Sequence, residues 1–244
     1  MNAFVPETSL QSAGTILPSA DELDRSLRDA SPHEVIAAAL KTMGRDRLAL
    51  VSSFGTESAA LLKVMADVDP EIPVIFLDTG WLFEETLAYR DTLIETLGLR
   101  DVRSIKPSAE ALSRQDSERD LWFSNPDACC YLRKVEPLQR ALKPFAGWIN
   151  GRKRFQGGLR ADIPVVEEDG ARLKFNPLAR TSREEIAAIY REANLPQHPL
   201  AASGFQSVGC MPCTSRTAPG EDARAGRWRG RDKTECGIHI TKSA

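Results

Sequence analysis

Apolar residues along this chain fall into two rhythms that alternate from about residue 21 to about residue 194. Unbroken apolar runs of strand length occur at 47–53 (RLALVSS) and at Val74-Ile75-Phe76-Leu77, with further short strands expected at 101–105 and 146–150. Between them the apolar positions keep a helical period, from Asp21 onward and over 32–43, 59–68 and 84–97. Ser31-Pro32 supplies an N-cap followed by proline at the first helical position, and Gly98 closes the 84–97 helix. Strands alternating with helices of this length predict parallel βαβ units, hence an α/β fold with a doubly wound, mostly parallel sheet. Two shorter strand-like runs, 163–167 and 172–175, flank Glu168-Asp169-Gly170 and predict a hairpin turn there. A helix is expected from Thr181-Ser182-Arg183-Glu184-Glu185 to about Asn194, after which the periodicity stops.

The two ends differ from this body. Residues 1–20 are rich in Ser, Thr, Ala and Pro without a period and predict a flexible lead. Residues 21–205 are expected to form one α/β unit, and 206–244, rich in Arg and Gly, a C-terminal arm or lid. With 244 residues, 42% hydrophobic and 27% charged, the chain has an ordinary globular composition. No apolar run approaches the ~20 residues of a membrane span, and no basic segment followed by an apolar one marks a secretory signal. The expectation is a cytoplasmic protein in a reducing compartment, without a membrane partner, where cysteine clusters mean metal or catalysis more often than structural disulfides. A net charge of -2 argues against nucleic-acid binding. Two local basic runs, Arg152, Lys153, Arg154 and Arg160, then Arg224, Arg227, Arg229, Arg231 and Lys233, suit a small anionic ligand instead.

Ligands of doubly wound sheets bind beyond the carboxyl ends of the strands, and three loops fall there: 53–58, 78–80 and 151–156. In the first, Ser53-Phe54-Gly55-Thr56-Glu57-Ser58, a glycine and three hydroxyls lead into a helix whose first backbone N–H groups would favour a phosphate. The same residues also suit a plain tight turn with a helix cap.

The chain has 5 cysteines. Cys129 and Cys130 are adjacent, Cys210 and Cys213 form a Cys-x-x-Cys, and Cys236 stands alone. Four soft thiolates suit zinc or an iron–sulfur cluster. Adjacent side chains on a helix diverge by roughly a hundred degrees, which favours a [4Fe–4S] cubane with four separate irons over a single zinc. Cys236 follows an arginine-rich run that would raise its thiolate fraction; the residues alone leave it either a nucleophile or incidental.

The 53–58 loop, Asp78-Thr79-Gly80, Cys129-Cys130 with Arg133-Lys134, Cys210-x-x-Cys213 and Glu235-Cys236-Gly237-Ile238-His239 occur in one order. Together, over roughly residues 30–239, they resemble the assimilatory adenylyl-sulfate reductases of the iron–sulfur type, relatives of the phosphoadenylyl-sulfate reductases. The resemblance implies an adenine nucleotide alpha-hydrolase-like fold and a [4Fe–4S] cluster on Cys129, Cys130, Cys210 and Cys213. It implies that Cys236 attacks the sulfur of adenylyl sulfate (APS), expels AMP and becomes an S-sulfocysteine. Thioredoxin or a glutaredoxin-like dithiol donor then releases sulfite. Lys134 is implied between cluster and substrate, Arg224 and Arg227 on the phosphosulfate, and Ser53, Gly55 and Thr56 on the nucleotide, with His239 beside the nucleophile. Where the family shows Gly-x-Arg-Arg-x-Gln, this chain reads Gly151-Arg152-Lys153-Arg154-Phe155-Gln156. Lysine cannot make the bidentate fork of arginine, so Arg154 is the expected anion contact. Relatives lacking the cluster cysteines generally take the 3′-phosphorylated nucleotide (PAPS), so these four favour APS. An ATP pyrophosphatase is a weaker alternative, because the loop lacks Ser-Gly-Gly-x-Asp-Ser; a zinc-stapled module is another. The sequence leaves a homo-oligomer open.

Overall fold

In the computed structural model, which describes residues 18–239, the two rhythms become one six-stranded sheet. Most of the expected flexible lead lies outside the described residues. Ser19 already belongs to the first helix, α1 (Ala20–Leu27), where it forms a capping box with Glu22. The chain continues through α2 (Pro32–Met43), β1 (Leu48–Ser52), α3 (Ser58–Val68), β2 (Val74–Leu77), α4 (Glu84–Leu97) and β3 (Val102–Ile105). Ser31 caps α2 in a box with Glu34, and Gly98 ends α4 in the left-handed region at φ 61. These are the elements the apolar pattern predicts, with ends shifted by a residue or so.

Between β3 and the next strand the chain makes only short pieces, for which the apolar pattern predicts no elements. They are α5 (Ala109–Gln115), α6 (Leu121–Ser124), α7 (Pro126–Cys130), a π turn over Tyr131–Val135, and α8 (Glu136–Ala141). Strand β4 (Gly147–Ile149) is followed by the hairpin β5 (Val166–Asp169) and β6 (Arg172–Phe175), then α9 (Arg183–Glu192). The hairpin departs from expectation. Glu168 and Asp169 pair with Leu173 and Arg172 inside the ladder, and the turn falls at Gly170, φ 62. Asp169 is held in the strand because its Oδ2 accepts from the indole Nε1 of Trp148 at 2.8 Å.

The strand order is β3-β2-β1-β4-β6-β5. Every pairing is parallel except β5 with β6. β1 is buried at all five positions and feeds two cores by alternation. Leu48 and Leu50 join the larger core under α2 and α3. Ala49 and Val51 join a smaller one with Trp148, Leu138, Leu142 and Phe145, which α8 closes. The chain order reverses at β1, between β2 and β4, and this switch point is where a ligand crevice opens. The arm is tied to the body by an isolated antiparallel bridge between Leu82 and Cys210, and to itself by one between Thr214 and Arg227. Among the described residues no helix is long and apolar enough to cross a membrane.

Candidate active site

A cavity of about 210 Å³ lies at that switch point. Ser52 and Ser53 at the end of β1, Thr79 after β2, and Asn150, Gly151, Arg152 and Lys153 after β4 line its floor. The arm closes it with Arg224, Arg227, Cys236 and His239.

The loop after β1 is shaped by backbone demands. Phe54 takes a left-handed φ of 48, stabilised because its N–H donates to Ser52 Oγ at 3.1 Å and its buried ring meets Phe76 edge-on at 5.3 Å. This turn brings Gly55 so close to the arm that a Cβ would lie 3.1 Å from the Val208 carbonyl. Helix α3 starts at Ser58 without a side-chain hydrogen bond from its N-cap Glu57; the Ser58 N–H donates to the Gly55 carbonyl at 3.0 Å, and the positive end of the helix lies at the cavity lining. Thr56 lines the cavity, but its hydroxyl donates to the Gln206 carbonyl at 2.8 Å and so ties the loop to the arm.

Cations ring the cavity. Arg152 is buried among Asn150, Asn176 and Glu167. Burial, then the neighbouring Arg160, pushes its pKa down to about 10. Lys153 is buried and donates to Glu57 Oε2 at 2.9 Å; burial lowers its pKa. Arg160 reaches Glu235 with Nε at 2.6 Å and Nη2 at 2.9 Å. Arg224 donates to the Thr234 carbonyl at 2.8 Å. Arg227 donates to the Cys213 carbonyl at 3.3 Å, and its guanidinium occupies the space beside Gly209, where a Cβ would come within 2.2 Å of it. The expectation for Arg154 is corrected here. Its Nε donates to the Ile163 carbonyl at 2.8 Å, and it does not line the cavity, whereas Arg152, Lys153 and Arg160 do. A tight 3-10 turn over Arg154–Gln156 rotates Arg154 away.

Cys236 lines the cavity between Glu235 and Ile238. His239 stacks on Trp148 with ring centroids 5.9 Å apart and planes 7° from parallel. Burial, then Lys174 and the surrounding arginines, holds the imidazole well below its ordinary pKa, so it is neutral.

The other four cysteines meet at a second, smaller cavity lined also by Trp81, Trp122, Pro126, Arg133, Lys134 and Pro212. The capped α7 carries Cys129 and Cys130 there, since Asn125 Oδ1 accepts from Ala128 N at 3.0 Å. The π turn that follows re-aims Arg133 and Lys134. Arg133 is anchored by the Asp116 carboxylate and by the Thr79 carbonyl at 2.9 Å. The Thr79 hydroxyl meets Cys210 Sγ at 3.2 Å. Lys134 lines both cavities and is the cation between them.

The donor set fits a sulfide-bearing cluster. Burial pushes Cys129 up to about 12 and Cys130 up to about 11, so these thiols ionise when a metal displaces the proton. Trp81 Nε1 and Arg133 Nε are buried beside the cysteines without a hydrogen-bond partner, and inorganic sulfide would supply acceptors. Among the described residues, no three His, Cys, Asp or Glu side chains converge tightly enough for a single metal ion.

A switch-point cavity with an anion-ready helix start, a ring of arginines and a thiol on an overlying arm defines a nucleotide-binding α/β protein built for chemistry at sulfur. The phosphoadenosine phosphosulfate reductase domain model matches residues 47–216, and the chain belongs to that family. It is 50% identical, over 90% of its length and 86% of the relative's, to the adenosine 5'-phosphosulfate reductase of Mesorhizobium japonicum. It is 42% identical, over 90% and 92%, to the phosphoadenosine 5'-phosphosulfate reductase of Gloeobacter violaceus. The crystal structure of phosphoadenylyl-sulfate reductase from Candida auris matches with TM-score 0.68 and 27% identity, covering 81% of this chain and 98% of that one. At 11% identity and TM-score 0.53, covering 92% and 82% of the two chains, Candida glabrata FMN adenylyltransferase shares the fold alone.

Proposed function

We propose that this chain reduces adenylyl sulfate to sulfite and AMP with electrons from thioredoxin or a glutaredoxin-like dithiol, in assimilatory sulfate reduction in the cytoplasm. One observation carries the reading. Cys236, Lys134, Arg224 and Arg227 line the same cavity as the loop of Ser53, Gly55 and Thr56. A nucleotide phosphate at that loop and the start of α3 directs its sulfate toward the arm. The Cys236 thiolate attacks the sulfate sulfur, the sulfur–oxygen bond to the phosphate breaks, and AMP leaves with the electron pair. Lys134 and the arginines of the arm offset the charge that gathers on the phosphate oxygen. The dithiol then attacks Cys236 Sγ of the S-sulfocysteine, sulfite departs, and a mixed disulfide forms. The second thiol of the donor resolves it, restoring Cys236 and carrying away the oxidised disulfide.

Cys129, Cys130, Cys210 and Cys213 would hold a [4Fe–4S] cluster, whose charge would act with Lys134 behind the sulfate while it joins the arm to α7. The arm of residues 206–244 works as the lid that delivers the thiol.

Mixing the protein with adenylyl sulfate and no reductant tests the reading by mass spectrometry. One sulfonate on Cys236 is expected, and Cys236→Ser should form none and turn over at background. Turnover by that variant would remove the nucleophile assignment. The names of the relatives include both nucleotides, and comparing rates with each decides the substrate. A clear preference for the 3′-phosphorylated form would replace adenylyl sulfate.

A further inference from the structure

The residue before the nucleophile carries chemistry the reaction itself does not use. Glu235 is a buried carboxylate, 8% exposed, on a stretch with no regular secondary structure. Both its oxygens are engaged by Arg160, at 2.6 and 2.9 Å, in the fork geometry that gives an arginine–carboxylate pair direction as well as strength. Arg224 approaches the same carboxylate at 3.4 Å and holds the neighbouring Thr234 carbonyl at 2.8 Å. Arg160 is fixed from the other side by the Gln156 side-chain oxygen, and Gln156 by Glu57 in the loop after β1 at 3.2 Å. The chain of contacts therefore runs from the nucleotide loop through Arg160 to the peptide that bears Cys236. Across Gly237, φ 86, His239 lies flat on Trp148 of β4. Cys236 thus hangs between two attachments, one ionic to Arg160 in the turn of Gly158–Arg160 and one aromatic to Trp148 of β4.

We infer that Glu235 is a positioning residue, an anionic latch whose pairing with Arg160 and Arg224 closes the arm and holds the Cys236 thiol over the cavity. The chemistry favours this over a bystander ion pair. Arg160 and Arg224 line the cavity, so without Glu235 their charges would face one another and Arg152 across it. The carboxylate offsets that repulsion in the free protein and ties arm position to the same arginines that meet an anionic substrate. Burial opposes its charge, but the Arg160 guanidinium, with Arg224 and Arg152 behind it, holds the Glu235 carboxyl below the usual carboxylate range. The latch is therefore set at neutral pH. This deepens the proposed reaction and rests on it for its purpose, but its test does not need turnover.

The test is the rate at which iodoacetamide alkylates Cys236 in the purified, cluster-loaded protein without substrate, read site by site by mass spectrometry. Glu235→Gln keeps the shape and removes the charge; Arg160→Met removes the partner. Both should speed Cys236 alkylation at least about tenfold, the change a loss of about 1.4 kcal/mol from the closed state produces. Glu235→Asp should fall between. Single-turnover formation of the Cys236 sulfonate should slow in Glu235→Gln, while AMP affinity, which needs the loop and not the thiol, stays within a factor of about two of wild type. Equal alkylation rates in wild type, Glu235→Gln and Arg160→Met would overturn the latch. So would a wild-type Cys236 that reacts as fast as the same cysteine in a short peptide. If alkylation responds but no sulfonate forms even in wild type, the latch stands and the proposed reaction fails.

Discussion

Lys134 stands where two sites share one charge, since it lines both the nucleotide cavity and the cysteine cavity. Burial disfavours its ammonium, but Coulombic attraction to the thiolate forms of Cys210, Cys236 and Cys130 more than compensates and raises its pKa. Lys134→Ala should lower kcat by about 10² while the iron content is retained, because removing one preorganised charge at a reacting centre costs that order. Iron analysis beside steady-state rates checks it. His198 gives a prediction of a different kind. Its Nδ1 accepts from Leu200 N at 3.2 Å, so Nε2 carries the proton and donates to the Thr86 hydroxyl at 3.1 Å. Burial pushes its pKa from 6.5 down to about 4. Below pH 6.5 the unfolded chain gains a proton at this site that the folded chain refuses, so the stabilisation is full above 6.5 and fades as pH falls toward 4. The gap corresponds to about 3 kcal/mol. Denaturant titrations at pH 7 and pH 5 should show about 2 kcal/mol of that loss in wild type, the rest falling below pH 5, and a smaller loss in His198→Gln. At this scale residue types were legible and orientations were not. The cysteines and the arm arginines announce themselves by spacing. By contrast, which of Arg152, Lys153 and Arg154 faces the cavity depends on one 3-10 turn, and no periodicity in a loop reports that.

Among the elements, those with a clear period were readable to within a residue or so, because a buried strand such as β1 or a capped helix such as α2 satisfies its rule in the sequence itself. The stretch from α5 to α8 was not. Its helices are short, α5 and α6 bury no residue completely, and a π turn interrupts the period where the cysteine pair needs its neighbours re-aimed. The arm was opaque for a related reason: it is held by backbone approach more than by side-chain pattern. Gly226 is the tightest case. A Cβ there would lie 2.2 Å from the Ser215 carbonyl oxygen, while Ser215 N donates to the Gly226 carbonyl at 2.8 Å. The two strands of the arm cannot part without losing the bridge between Thr214 and Arg227. Gly226→Ala should therefore destabilise the protein by about 1–3 kcal/mol, as overpacking does. It should also cost activity, since it displaces Arg224 and Arg227 together. A urea titration alongside turnover measures both.

For the molecule as a whole, the arm and the sheet are joined at few places, and those places are chemical more than apolar. The large core lies under α2 and α3, far along the chain from residues 206–239, and of residues 235–239 Ile238 packs at the smaller core. The arm is instead held by Thr56 to Gln206, by Arg160 to Glu235, by Leu82 and Trp81 to Cys210 and Met211, by Trp122 and Asp127 to Arg231 and Lys233, by the stacking of His239 on Trp148, and by the four cysteines that bring Cys210 and Cys213 to α7. If those cysteines share a cluster, the metal closes a long loop, and a covalent link over such a span stabilises by an amount on the order of 4 kcal/mol in the chain-entropy picture. Iron removal should then act unevenly. The sheet keeps its own core, so the far-ultraviolet dichroism should change little, while the arm loses its main attachment. Limited proteolysis after chelation should cut within 206–239 well before any site between β1 and β4, and the holoprotein should resist at both. Simultaneous cleavage of arm and sheet would mean that the cysteines support the whole fold, and that the arm is not a separately hinged carrier for the thiol.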